Sequence, residues 1–401
     1  QIMAVRVSGL VRQVSGMGIK LVAGKDGLSN IVDWIHVVAN MENASFLKGG
    51  ELVFITGIGL DEETSLYTLI RTIVKNNASA VIVNIGPYIK DLPKEVIKFA
   101  NEKDFPVFTV PWEVYLADMM RVFYFTIQQK EQRQLELTTA FKYCLFTPEK
   151  EDLYVPLLMQ KGYSINGKYT VAAIEPAEVV VLEDDKAMYT TPEQDRLKYI
   201  AKKWSDIIHE LKNDSVAFME NDIIIAILPD MAEQDTKVLL QKALKRAKES
   251  LKWNETSFTG IGSCVNKACD IAKSYKLAKM TAGYLKLECI ENEVTGVSDM
   301  GIAGLLFNIE DKEQLSAYCD RTIQPLIEYD EINGTNLVEV LKVYIKHNGS
   351  VYQVADEMYI HRNTVNYKIN KIAQITGKDI TDFNVRSELI TGIIAEKICR
   401  L

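Results

Sequence analysis

Between residues 50 and 113 the chain alternates three short β-rich runs with two amphipathic stretches, an order that leaves few folds open. Glu51–Thr56 is a strand candidate ended by Gly57 and Gly59. Ala80–Asn84 is a continuous apolar run up to its last residue, the pattern of a strand buried on both faces. Phe105–Val110 supplies a third strand, after which Pro111, Trp112 and Glu113 turn the chain into a long helical segment. Asp61 opens a stretch in which Leu66, Leu69, Ile70, Ile73 and Val74 recur at helical spacing. Pro93 begins another helix, with Val96, Ile97, Phe99 and Ala100 on one side. A β-α-β-α-β order needs right-handed crossovers and predicts a parallel sheet covered by helices. Residues 4–38 add shorter elements, including Ile31–Val38 with Trp34 and His36, for both of which a structural role is expected.

From about Val114 to Phe146 glycine disappears and the chain turns helical and glutamine-rich. A connecting helix fits this stretch, and so does pairing with a second copy, although the heptad is ragged. A second alternation follows. Tyr169–Ile174, Ser215–Met219, Ile223–Leu228 and Thr256–Ser263 read as strands, with Glu220, Asn221 and Asp222 as a hairpin turn. Gln194–Leu211, Lys237–Leu251 and Ala268–Leu287 read as helices, which gives a ferredoxin-like α+β domain. Leu337–Leu401 is helical throughout and lacks proline. The expected α/β multidomain chain thus divides into an N-terminal domain (1–120), a connecting helix (121–147), a middle domain (148–300), a joining segment (301–335) and an all-α domain (336–401).

Hydrophobic residues at 47% and charged residues at 25% are ordinary for a globular chain, which argues against disorder and fibrous repeats. A net charge of −8 argues against a surface that binds nucleic acid everywhere, so any basic contact must be local. The six cysteines and four histidines are dispersed, which predicts reduced thiols in a reducing, cytoplasmic compartment and neither metal site nor cofactor. No Ser/His/Asp or Cys/His arrangement marks a catalytic residue. No secretory signal is expected behind Gln1–Arg6, and no window approaches the 18 apolar residues of a membrane span.

The local basic patch lies near the C-terminus. Asn336–His347 is an amphipathic helix stopped by Asn348 and Gly349, and Ser350 can cap a short helix, Val351–Met358. A tight connection, Tyr359–His361, leads into a third helix from Arg362 to about Thr376, stopped by Gly377. Val365, Ile369 and Ile372 form its apolar stripe, and the other face carries Arg362, Asn363, Thr364, Asn366, Tyr367, Lys368, Asn370 and Lys371. From Met358 to Lys378 there are four cations and no carboxylate. Arg and Asn can pair with guanine and adenine edges while Lys and Tyr hold phosphate, and the helix–turn–helix spacing suits a major groove. A plain solvated helix face has the same periodicity.

The runs Asn348–Ala355, Ile360–Ile372 and Thr376–Gly377 resemble the C-terminal helix-turn-helix of the PucR family of bacterial regulators, the block His361–Val365 followed by Tyr367–Ile369 being the specific part. Val22–Gly24, Val32–His36, Gly49–Leu52, Thr56–Gly57 and Val110–Glu113 are similar to the N-terminal domain of purine-catabolism regulators in that family. The middle region resembles the family's degenerate GGDEF-like domain, and Asp299–Gly301, Pro325, Leu326, Tyr329 and Asp330 resemble its lead into the DNA-binding domain. The resemblance implies a regulator that answers to a small effector (a purine catabolite, amino acid or sugar acid) and binds a palindromic duplex operator as a homodimer or higher oligomer. It makes Arg362–Lys371 the recognition helix, with His361 at its boundary. The hairpin Phe218–Ile223 lacks the glycine pair a diguanylate cyclase needs, and Glu220 and Asp222 alone are commonplace turn residues. The rivals are a nucleotide-processing enzyme and a ligand-sensing protein without DNA binding.

Ligands of open parallel sheets bind beyond the carboxyl ends of the strands. That rule gathers Thr56, Gly57, Asn84, Gly86, Trp112 and Glu113 as effector-binding candidates. Gly57, Gly59 and Gly86 would let a ligand approach the backbone, and Trp112 would suit a flat heterocycle. Alternatively, the glycines serve turns and Trp112 belongs to the core.

Overall fold

The computed structural model describes residues 5–59, 65–176, 193–251 and 256–401. It divides into two compact units, Gln1–Thr139 and Ala140–Leu401.

In the first unit the strands are β1 (Lys20–Ala23), β2 (Trp34–Val37), β3 (Glu51–Ile55), β4 (Ala80–Ile85) and β5 (Val107–Pro111). They form one sheet in the order β1-β5-β4-β3-β2. β2 to β5 are mutually parallel, as the β-α-β alternation requires, and β1 adds an antiparallel edge to β5. Helices α1 (Val7–Gln13), α2 (Met41–Ser45), α3 (Leu66–Lys75), α4 (Lys94–Glu102) and the start of α5 (Leu116–Phe146) cover the sheet. Burial on both faces explains the apolar run Leu52–Ile55 of β3: Val53 and Ile55 pack with Leu69, Ile70 and Ile73 of α3 on one face. Leu52 and Phe54 pack with Leu10 of α1 and Met119, Phe123 and Ile127 of α5 on the other. Asp61 lies outside the described residues, and the cap of α3 is Ser65, whose hydroxyl accepts from Thr68 N–H. β5 starts two residues later than the apolar run, because Pro106 has no N–H to give a ladder.

The second unit opens with the last turns of α5 and then α6 (Glu151–Gln160), for which the sequence gives no clear signal. There follow β6 (Tyr169–Pro176), α7 (Glu193–Leu211), β7 (Val216–Glu220), β8 (Ile223–Pro229), α8 (Glu233–Leu251), β9 (Ser257–Ile261), α9 (Ile271–Leu287) and β10 (Val294–Gly296). The sheet order β10-β9-β6-β8-β7, with β6 antiparallel to both β8 and β9, is the ferredoxin-like arrangement plus one parallel edge strand. Trp204 of α7 and Leu240, Ala243 and Ala247 of α8 pack on the face formed by Ile224, Ala226 and Leu228. β7 runs through Glu220, paired with Ile223, so the hairpin loop is only Asn221 and Asp222. Both have positive φ (48° and 61°), as a tight two-residue hairpin turn demands.

Helices α10 (Ile302–Leu306), α11 (Lys312–Thr322) and α12 (Gln324–Asn333) occupy the stretch read as a joining segment. The last four helices are α13 (Leu337–Lys346), α14 (Val351–Glu357), α15 (Arg362–Thr376) and α16 (Phe383–Cys399). All share one core. Phe307, Leu315, Cys319, Ile323 and Leu326 join Val340, Val354, Val365 and Ile372, together with Leu389 and Ile393 of α16 and Leu277 of α9. The joining helices therefore serve as part of the same packed body rather than as a spacer.

Candidate nucleic-acid interface

Helices α14 and α15 are set by local chemistry. Ser350 Oγ accepts from Gln353 N–H at the start of α14. The chain then reverses through Tyr359, which has φ 53° and is 95% exposed. His361 caps α15, its Nδ1 accepting from Asn363 N–H at 3.2 Å. A ring nitrogen occupied as a cap makes His361 a positioning residue for the first turn of α15. Val365, Ile369 and Ile372 are buried, as the stripe predicts, and their burial turns Arg362, Asn363, Thr364, Asn366, Tyr367 and Asn370 outward.

The four cations of this segment have different fates. The Arg362 side chain makes no hydrogen bond or ion pair among the described residues. Lys368 Nζ donates to Asn336 Oδ1. Lys371 Nζ stands 5.0 Å over the ring of Tyr329 in α12 and donates to Gln374 Oε1 at 3.4 Å. Lys378 pairs with Glu388 at 2.5 Å. The half-exposed Lys368 and Lys371 thus flank the outward face with their charges already engaged. Asp330, also on α12, accepts from the backbone N–H of Leu337 (2.8 Å) and Val338 (2.9 Å) and from Thr335 Oγ1 (2.5 Å). The joining helix therefore caps the first helix of the trihelical unit from outside, while also touching its last.

At the other candidate site the structure brings the strand ends of β3, β4 and β5 side by side. Thr56 Oγ1 accepts from Ile58 N–H at 3.3 Å. Asn84 is buried and its amide donates to Pro111 O at 3.0 Å and Val110 O at 3.4 Å, tying β4 to β5. Gly57 and Gly86 are closely packed, whereas Gly59 is exposed with only Ala39 within 4 Å of a Cβ placed there. A Cβ on Gly86 would lie 2.6 Å from Trp112 Cβ, and one on Gly57 would lie 2.7 Å from Tyr88 Cβ. Tyr88 and Trp112 therefore occupy the space that a side chain at Gly57 or Gly86 would need. What remains accessible is an aromatic rim: Trp112 and Tyr88 stand 5.6 Å apart between centroids, both exposed, with exposed Glu113 next in chain. Tyr88 lies in a loop that carries no strand-end signal and is not among the candidates that the sequence offers. Trp34, expected to be structural, is 58% exposed on the edge strand β2.

In the middle domain Glu220 Oε2 pairs with Lys142 Nζ at 2.6 Å, and the same ammonium sits 5.6 Å over Phe218. The hairpin's carboxylate is thereby held by α5. Among the described residues no cluster of three or more His, Cys, Asp or Glu side chains is placed to hold a metal, and no helix is long and apolar enough to cross a membrane.

Two α/β domains are followed by a trihelical unit, the domain order of the transcriptional regulators that the family models describe. The purine catabolism regulatory protein-like family model matches residues 10–127, the GGDEF-like domain model residues 160–284, and the PucR C-terminal helix-turn-helix domain model residues 337–395. The chain belongs to the PucR family of transcriptional regulators. It is similar to the proline-responsive transcriptional activator PutR of Bacillus subtilis, with 23% identity across 77% of this chain and 70% of that one. It is 20% identical to the purine catabolism regulatory protein of the same organism, over 90% of this chain and 94% of that one. The carbohydrate diacid regulator of Escherichia coli is 28% identical over 34% of this chain and 33% of its own.

Proposed function

We propose that the chain is a cytoplasmic, non-enzymatic regulator that binds a palindromic operator as a homodimer or higher oligomer and controls a catabolic operon in response to a small metabolite. The observation that carries it is the acid-free outward face of α15, held out by Val365, Ile369 and Ile372 and capped by His361. In this reading Arg362, Asn363, Thr364, Asn366 and Tyr367 face the groove, and Lys368 and Lys371 swing to phosphate. Releasing Lys371 from Tyr329 forgoes about 0.5–1 kcal/mol of cation–π attraction, well within what a phosphate contact returns.

The effector would rest on the rim of Trp112, Tyr88, Glu113 and Thr56, with Gly57, Asn84 and Gly86 shaping the rim from beneath. Relatives named for proline, purines and carbohydrate diacids make small polar catabolites the class to test. Control requires an effector with different affinity for two arrangements of the DNA-binding domains. The engaged Glu220 and the absent glycine pair count against a cyclase role for the middle domain.

The test is a gel-shift series on the gene's own upstream duplex at increasing salt, with and without candidate metabolites. Arg362→Ala and Asn363→Ala should reduce discrimination between specific and random duplex, while Lys371→Ala should weaken both about equally. Equal losses for all three variants on both duplexes would remove α15 from base reading.

A further inference from the structure

The outermost line of α15 carries amides rather than cations. At 100° per residue, the side opposite Val365, Ile369 and Ile372 is occupied by Asn363, Tyr367, Asn370 and Gln374, with Asn366 beside them. All five are exposed. The side chains of Asn363, Asn366, Tyr367 and Asn370 make no hydrogen bond among the described residues, so their polar groups are unspent. Arg362 lies on one flank of that line. Lys368 and Lys371 lie on the other, tethered to Asn336 and Tyr329.

A carboxamide presents a donor and an acceptor side by side. In the major groove that pair matches the N7 acceptor and N6 amino donor of adenine, whereas guanine shows two acceptors and cytosine a lone donor. Asn363 and Asn370 are seven residues apart, about 10 Å along the helix, or about three base-pair steps. We propose that this chain reads its operator half-site chiefly as adenine, through Asn363 and Asn370 at two A·T pairs about three steps apart. Arg362 serves one further position at the flank, where its fork suits a guanine. This inference rests on the DNA-binding reading above and specifies which duplexes that surface selects.

The experiment is selection by the full chain from a randomised duplex pool, followed by affinity measurements on the enriched duplex. The expected result is a half-site with two invariant A·T pairs about three steps apart. Changing either to G·C should weaken binding roughly five- to a hundredfold. Replacing one adenine by 7-deazaadenine, which keeps base pairing but loses the N7 acceptor, should cost a similar factor. Asn370→Ala should erase the preference at one of the two pairs and leave the other intact. Enrichment of half-sites whose Asn363- and Asn370-sensitive positions are guanine or cytosine would overturn the adenine assignment while leaving the regulator standing. A pool with no enrichment at any salt would instead overturn DNA reading by α15 itself, and the adenine assignment with it.

Discussion

Asp330 offers the sharpest test of how the helix-turn-helix is held. Helix α13 begins after Asn336, a residue type that ordinarily caps, yet Asn336 makes no side-chain cap, and its Oδ1 accepts from Lys368 instead. Two of the orphan donors at the start of α13, the N–H groups of Leu337 and Val338, go to the Asp330 carboxylate from the preceding helix. Asp330→Ala leaves both without that acceptor and frees Thr335. Loss of a capping acceptor costs about 1–2 kcal/mol, and loss of a negative charge at a helix N-terminus adds up to about 1 kcal/mol. For a unit of this size, a destabilisation of about 1–3 kcal/mol lowers Tm by about 2–12 °C. Scanning calorimetry with amide exchange on the full chain reads both the shift and its location. Exchange should accelerate at Leu337 and Val338, and Asp330→Asn should recover part of the loss by keeping one acceptor. A variant melting within about 1 °C of the parent with unchanged exchange at those amides would refute the argument.

Three further expectations follow from named contacts. Gly86→Ala places a methyl 2.6 Å from Trp112 Cβ, so the indole must shift; the tryptophan emission of the parent should change, and that change should vanish in a Trp112→Phe background. Identical spectra in both backgrounds would show that Gly86 does not seat the indole. Ile372→Ala empties a fully buried position and should cost about 2–5 kcal/mol, abolishing duplex binding in gel-shift at temperatures where the N-terminal sheet still gives its native circular dichroism. Retained binding at the parent's affinity would argue that α15 does not depend on that stripe. Glu357 is held below the ordinary carboxylate range, first by its hydrogen bond from Lys346 and then by that with His347. A depressed folded-state pKa contributes stability that is present above the unfolded value and lost as pH falls through the folded one. Glu357→Gln should therefore flatten part of the acid-unfolding limb in a circular-dichroism titration, and superimposable limbs would contradict the pairing.

Much of the architecture was legible because it depends on near neighbours. Periodicity located β2 to β5 and β6 to β9 to within a few residues but not the short edge strands β1 and β10, and the stripe Val365, Ile369, Ile372 is buried as spacing demands. His361 as a boundary residue was also readable, since a cap acts on the amide two residues ahead. The joining helices were not, because their buried faces meet α16, some 70 residues away in the chain: Cys319 Sγ lies against Gly392 O, and a Cβ on Gly392 would crowd Thr322.

The sequence by itself located the central strands of both sheets, the larger helices of the two α/β domains and the helix-turn-helix, and showed that the outward face of α15 is free of acid. Tertiary structure decided what those residues can still do. It tethered Lys368 to Asn336 and set Lys371 over Tyr329, filled the space beside Gly57 and Gly86 with Tyr88 and Trp112, and spent the Asn84 amide on the backbone of β5. The reason is range. Helical period and capping are fixed by residues three or four apart, whereas the availability of a charge or a gap depends on side chains that only folding brings within a few ångströms.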